Sequence, residues 1–165
     1  MNLAYKIATN TTYPSWGYMI DKGATTIWEL WNGDTADPAM NSGNHVMLLG
    51  DLLIWYYEDL AGIKNHPGSV AYKKLLMEPK FPEGLSHVKA SYHSVYGEIK
   101  SEWSKTGNTL DWEISIPANT SAIVRLPREM NITTPEGEGV RSLTQDDPRI
   151  EIELGSGTYH LTGNS

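Results

Sequence analysis

The sequence has 165 residues, a formal net charge of −7 and no cysteine. A chain of this length usually forms one domain, or one domain and part of another. The negative charge argues against nucleic-acid partners, which require a basic surface, and the absence of cysteine excludes disulfides and thiolate metal sites.

No segment of the sequence is suited to cross a membrane. The longest apolar stretch, from Val46 to Leu60, is interrupted by Asp51, Glu58 and Asp59 and is too short and too polar for a bilayer. The start lacks the charged and then apolar pattern of a signal peptide. We therefore expect a soluble protein without a membrane partner, and the sequence leaves open whether it is cytoplasmic or periplasmic.

The first predicted element is a short helix over residues 16–21. Ser15 stands in the N-cap position, and Gly23 provides a stop. The stretch from Glu29 to Asn44 follows, rich in small and polar residues, and is predicted to be a loop. A loop of this length inside a compact domain is usually functional or mobile.

The second predicted helix runs from Val46 to Leu60. Apolar residues recur every three or four positions along it, Asn44 precedes it as a candidate N-cap, and Gly62 follows as a stop. Further apolar residues lie off this stripe, so the helix requires neighbours on more than one face.

The remainder of the chain follows a two-residue period. Apolar positions that alternate with polar ones define five predicted strands: Ile99 and Trp103; Leu110, Trp112, Ile114 and Ile116; Ala122, Val124 and Leu126; Ile150, Ile152 and Leu154; Tyr159 and Leu161. Such alternation is typical of antiparallel strands with one buried face, and several short strands separated by turn residues indicate a β-sandwich. The fold class is therefore α+β, with a helical region at 1–63 and a sandwich at 64–165.

The helical region is too small to close a domain by itself. Two or three apolar helices bury one face and leave the others in water. We expect them to belong to a larger helical domain whose remainder precedes Met1. Two alternatives are packing of the helices on the sandwich and self-association through their exposed apolar faces.

Glu29 is the candidate catalytic residue on local chemistry. It lies between Trp28 and Trp31. Indole rings exclude water from a neighbouring carboxylate, which suits general acid–base chemistry, and tryptophan faces also stack on sugar rings. The alternative is that both tryptophans belong to the core and that Glu29 is a solvated carboxylate.

His45 opens the second predicted helix, where its side chain can face whatever the loop encloses. The alternative is a helix-start histidine with a satisfied hydrogen bond. The other histidines show no metal-ligand spacing, so we expect no metal and no cofactor: these are His66, His87, His93 and His160.

Because the tryptophans near Glu29 suit a sugar ligand, a sugar-cleaving enzyme is one possibility, and a glycosidase uses two carboxylates. The other acidic residues are predicted to lie on solvent-facing strand or loop positions, among them Glu78, Glu98, Glu102 and Glu113. The sequence therefore offers no second catalytic carboxylate to accompany Glu29.

Several segments resemble glycoside hydrolase family 78, the bacterial α-L-rhamnosidases. In the helical part they are residues 13–20 (YPSWGYMI), 23–31 (GATTIWELW), 40–45 (MNSGNH) and 57–63 (YEDLAGI). In the strand part they are residues 88–97 (VKASYHSVYG) and 99–103 (IKSEW). The likeness covers nearly the whole chain in the right order, and the helical motifs are the more specific.

The resemblance implies an (α/α)6 catalytic barrel, of which residues 1–63 match the end, followed by a C-terminal β-sandwich. It implies inverting hydrolysis of terminal α-L-rhamnose from rhamnose-containing glycosides, with Glu29 as the general base, and with His45 and Trp31 as sugar contacts. The family's general acid would lie upstream of Met1, so the chain alone is expected to be inactive. One departure is Leu30, where the family commonly has arginine after the base.

A second functional hypothesis is a non-catalytic carbohydrate-binding or structural sandwich. Trp103 and Trp112 could then form an exposed sugar platform. Their alternation with charged residues places them on the buried face instead, which favours a core role.

Overall fold

The chain divides into two units, Met1–Trp55 and Tyr56–Ser165. The computed structural model describes residues 1–133, 135, 139–146 and 149–164. The first unit is helical and the second contains the strands, which gives the α+β class that the sequence predicts.

Three α-helices lie in the first unit: α1 (Asn2–Thr9), α2 (Trp16–Asp21) and α3 (Gly50–Trp55). The predicted helix at 16–21 is confirmed as α2, and Ser15 caps it by accepting a hydrogen bond from the Tyr18 N–H at 2.9 Å. Gly23 follows with a φ of +86°, a conformation that glycine adopts without strain. Helix α1 was not predicted, since it has no side-chain cap to mark its start.

The predicted helix at 46–60 is helical throughout, but in three forms. A 3₁₀ turn at Val46–Leu49 leads into α3, and a π-helical segment at Tyr56–Leu60 follows. The N-cap is His45 and not Asn44 as predicted, and the His45 side chain makes no capping hydrogen bond. Gly62, with a φ of +74°, stands beyond the end.

The described residues of the second unit form ten strands: β1 (Ile63–Asn65), β2 (Lys74–Met77), β3 (His87–Ser94), β4 (Gly97–Thr106), β5 (Thr109–Ile116), β6 (Ser121–Pro127), β7 (Asn131–Thr133), β8 (Val140–Asp146), β9 (Arg149–Leu154) and β10 (Gly157–Asn164). They make two five-stranded sheets, in the orders β1-β2-β6-β9-β8 and β3-β4-β5-β10-β7. Each pair among these described strands is antiparallel except β2 with β6, which is parallel. The predicted antiparallel sandwich is therefore confirmed, with this parallel pair as a departure among the described strands.

The five predicted strands are confirmed as β4, β5, β6, β9 and β10, and their apolar faces form the core. Trp103 is 2% exposed and Trp112 is fully buried. The hypothesis that these two rings form an exposed sugar platform is therefore wrong, because both are packed between the sheets. Within the described part of the chain, no helix has the length and apolar character needed to cross a bilayer.

Candidate active site

The candidate site lies on residues 24–45, a stretch without regular helix or strand whose two ends pair with each other. The Glu29 N–H donates to the Ser42 carbonyl at 2.9 Å, and the His45 N–H donates to the Ile27 carbonyl at 2.7 Å. These bonds resemble a short antiparallel ladder. They bring Glu29 and His45, which are far apart in the loop, to the same place.

Two side chains extend this pairing. The Leu30 N–H donates to Oδ1 of Asn41 at 3.0 Å, and the Thr26 hydroxyl donates to the Gly43 carbonyl. The pairing therefore continues on both sides of Glu29.

The Glu29 carboxylate is held at one oxygen. Its Oε2 accepts a hydrogen bond from the Ser42 N–H at 3.0 Å and lies 3.7 Å from Nδ1 of His45. The Glu29 side chain is 42% exposed and the His45 side chain 26%. The carboxylate is thus oriented by the protein but reachable by water and ligand.

A cavity of about 320 Å³ opens beside this carboxylate. It is lined by Trp16, Met19, Ile27, Trp28, Glu29, Trp31 and Leu48. Glu29 is the one acidic group among these lining residues. Apolar walls with a single oriented polar group are typical of small-molecule sites.

The tryptophans of the cavity are fixed by packing. Trp31, which is 39% exposed, meets Trp16 edge to face, with ring centroids 5.8 Å apart. The Trp28 ring lies against the backbone of Gly33, where an added Cβ would be 2.5 Å from the ring. Sequence reasoning missed Trp16 as a cavity residue, although it lies in the motif at residues 13–20.

Asp34 is tied to α2. The Tyr18 hydroxyl lies 3.2 and 3.3 Å from the two carboxylate oxygens of Asp34, and partial burial together with the Asp34 charge raises the pKa of Tyr18. Asp37 accepts a bond from the Ala39 N–H at 2.9 Å. Over the described ranges, no group of three or more histidine or acidic side chains is arranged to hold a metal ion.

Glu78, in the second unit, does not occupy the solvent-facing position that its sequence suggested. Its side chain is 14% exposed and lies 3.2 Å from Lys64, 3.6 Å from Lys80 and 3.8 Å from Arg149. Burial acts to raise the pKa of Glu78, but the Lys64 hydrogen bond and the neighbouring cations, Arg125 among them, outweigh it and the pKa is lowered. The sequence could not show these cations, which come from separate strands and turns.

Two family models match the chain. The bacterial alpha-L-rhamnosidase 6 hairpin glycosidase domain matches residues 1–60, and the bacterial alpha-L-rhamnosidase C-terminal domain matches residues 62–141. Together they cover most of the chain, in consecutive order.

Curated relatives carry the same name. An alpha-L-rhamnosidase of Streptomyces avermitilis is 31% identical over 98% of this chain, and one of Formosa agariphila is 34% identical over 98%. The chain spans 16% and 18% of their respective lengths.

Solved structures of alpha-L-rhamnosidases are also similar to this chain. The alpha-L-rhamnosidase from Dictyoglumus thermophilum superimposes with a TM-score of 0.85 at 34% identity, covering 99% of this chain and 19% of that one. The Streptomyces avermitilis enzyme, solved in complex with L-rhamnose, gives 0.79 at 32% identity, covering 98% of this chain and 16% of that one.

Proposed function

The chain belongs to the bacterial α-L-rhamnosidase family. We therefore propose that the full-length enzyme that contains it removes terminal α-L-rhamnose from rhamnosides with inversion of the anomeric configuration. In this proposal Glu29 is the general base that activates the attacking water. His45 and Trp31 bind the sugar.

The orientation of the Glu29 carboxylate is the observation that carries the proposal. The Ser42 N–H holds Oε2 at 3.0 Å, and no donor from the described residues is bonded to Oε1. A general base must present an oxygen within hydrogen-bond reach of the water that it deprotonates. Glu29 lines the cavity, so its Oε1 is available for that water.

The neighbouring side chains suit a neutral deoxy sugar. Trp31 is 39% exposed and braced by Trp16, so it offers a rigid aromatic surface to the apolar face of a sugar ring. His45, 3.7 Å from Glu29, can exchange hydrogen bonds with sugar hydroxyls. L-rhamnose bound to the Streptomyces avermitilis relative supports the same ligand class here.

An inverting mechanism requires a second carboxyl group, about 6.5–9.5 Å from the first, to protonate the leaving oxygen. Among the described residues that line the cavity, Glu29 is the one acidic residue. We therefore place the general acid in the part of the enzyme that precedes the segment matched here. The 165-residue chain alone should then turn over an aryl α-L-rhamnoside no faster than its own Glu29→Gln variant.

The test measures hydrolysis of an aryl α-L-rhamnoside by the full-length enzyme that carries these residues. Glu29→Gln removes the base and should lower kcat by about 10²–10⁴-fold. Glu113→Gln, the same change at an exposed carboxylate on β5, should leave kcat within about two-fold of the parent.

The stereochemistry provides a second test. Proton NMR of the first product should show β-L-rhamnose before mutarotation if the reaction inverts. Retention of more than a tenth of kcat in Glu29→Gln would contradict the role of Glu29, and α-L-rhamnose as first product would contradict inversion.

Self-association of the helices is the alternative to their packing within a larger helical domain. Leu3, Ile20 and Met47 are each at least 70% exposed. Apolar surface of this kind is usually covered by protein. The mass of the 165-residue chain in solution, measured by light scattering, tests whether copies pair.

A further inference from the structure

We propose that Asn41 is a positioning residue, whose side-chain amide places the Glu29 carboxylate by holding the backbone of Leu30. The inference rests on the proposed role of Glu29. Asn41 is not among the residues that line the cavity, and its side chain bonds to the Leu30 N–H instead of to the carboxylate.

Two kinds of hydrogen bond hold the chain around Glu29. At Ile27 and Glu29 the two ends of the loop are joined by backbone groups, through the His45 N–H and the Ser42 carbonyl. Backbone bonds of this kind form with almost any side chain at those positions.

The pattern changes at the next residue. The Leu30 N–H bonds to a side chain, Oδ1 of Asn41, at 3.0 Å. Beyond it the chain turns away, since the Gly33 N–H donates to the Leu30 carbonyl at 3.1 Å. The bond to the Asn41 side chain is therefore the last one that holds residues 27–30 against the other end of the loop.

The Asn41 bond protects the geometry of the Glu29 carboxylate. Ser42, which follows Asn41, supplies the N–H that orients Oε2 of Glu29. Asn41 binds Leu30, which follows Glu29. One dipeptide, Asn41-Ser42, thus holds both the carboxylate and the backbone beside it. Loss of the Asn41 bond would let the backbone at Glu29 and Leu30 shift relative to Ser42. A misplacement of about 1 Å at a catalytic group can lower the rate about 10²-fold.

A positioning role for Asn41 differs from a purely structural one in its effect on stability. The Asn41–Leu30 bond is exposed, so water can satisfy the Leu30 N–H when the side chain is removed. Removing an exposed hydrogen bond costs little stability. Activity should therefore fall much more than stability does.

The experiment compares variants of the full-length enzyme on an aryl α-L-rhamnoside. Asn41→Ala should lower kcat about 10–100-fold while KM changes by less than about three-fold. Asn41→Asp keeps an acceptor oxygen at the same place and should recover most of that loss. Asn32→Ala is the matched control, because Asn32 lies in the same loop and its side chain bonds to Thr35 instead, so kcat should stay within about two-fold.

Two results would overturn the inference: kcat of Asn41→Ala within two-fold of the parent, or Asn41→Asp as slow as Asn41→Ala. If Asn41→Ala does not fold, Asn41→Ser replaces it with the same expectation, since its hydroxyl is too short to reach Leu30. Glu29→Gln distinguishes a failure of the proposed function from a failure of the positioning role. Full activity in Glu29→Gln refutes the proposed function, whereas an inactive Glu29→Gln beside a fully active Asn41→Ala refutes the positioning role alone.

Discussion

The indole N–H of Trp112 donates to the hydroxyl oxygen of Ser101 at 3.0 Å, and both residues are completely buried in the sandwich. The Ser101 hydroxyl donates in turn to the Ala61 carbonyl at 2.6 Å. Trp103 makes a parallel contact, from its indole N–H to the Leu60 carbonyl at 2.8 Å. The segment that enters the sandwich is thus bonded to the core by side chains of β4, and those of β4 and β5 are bonded to each other.

Ser101→Ala should destabilise the sandwich strongly for so small a change. It leaves the Trp112 N–H and the Ala61 carbonyl buried without a partner, and each such group costs about 1–3 kcal/mol, so the free energy of unfolding should fall by about 2–6 kcal/mol. Urea unfolding followed by tryptophan fluorescence measures it. Ser104→Ala, at an exposed position on β4, should change stability by less than about 0.5 kcal/mol, and equal effects at the two sites would contradict the prediction.

Gly62→Ala should be among the most damaging single substitutions in the second unit. Gly62 has a φ of +74°, and an added Cβ would lie 2.2 Å from the Pro79 backbone nitrogen. Strain and steric overlap together should cost about 3 kcal/mol or more. Gly107→Ala is the control: its φ is +57°, nothing lies within 4 Å, and about 1–2 kcal/mol is expected from the backbone conformation alone. Thermal denaturation of both variants should rank them in this order.

The contribution of Glu78 to stability should depend on pH. Its pKa is lowered in the folded state relative to its ordinary value of 4.5, so the ion pairs stabilise the protein above that value and the contribution is lost as the pH falls through the folded pKa. Glu78→Gln should therefore be less stable than the parent at pH 7, and the difference should shrink below about pH 4.5. Urea unfolding at both pH values tests this, and a difference that stays constant or grows in acid would refute it.

Gly33→Ala should impair the candidate site without touching Glu29. The new methyl group would meet the Trp28 ring at 2.5 Å and displace it from the cavity wall. In the full-length enzyme we expect kcat/KM to fall more than about ten-fold, since small displacements at a reacting centre are costly. Gly43→Ala has nothing within 4 Å of its added carbon and should stay within about two-fold. The prediction fails if both variants hydrolyse an aryl α-L-rhamnoside equally well.

The sequence predicts the strands that alternate and misses those that do not. Strands such as β5 place every second residue in the core, which a two-residue period reveals. Strand β2 has three consecutive buried residues, Leu75, Leu76 and Met77, so it shows no alternation. Strand β3 is also hidden, because its inward residues, Val88 and Ala90, are small and only partly buried.

The candidate site shows the same limit. The motifs at 23–31 and 40–45 are enough to single out Glu29, Trp31 and His45. The roles of Trp16 and Asn41 depend on contacts across an irregular loop, to Trp31 and Leu30, and no periodicity in the sequence marks such contacts.

The parallel pairing of β2 with β6 bears on the order in which the sandwich assembles. It joins Lys74 to Ser121 across the whole of β3, β4 and β5, so a long loop must close before these two strands gain any bonds. Strands β3, β4 and β5 are consecutive antiparallel neighbours and can pair as hairpins within microseconds. We therefore expect the sheet that contains β3, β4 and β5 to form first and the apolar strand β2 to pair late. Until it pairs, the edge of β2 is open to aggregation during synthesis.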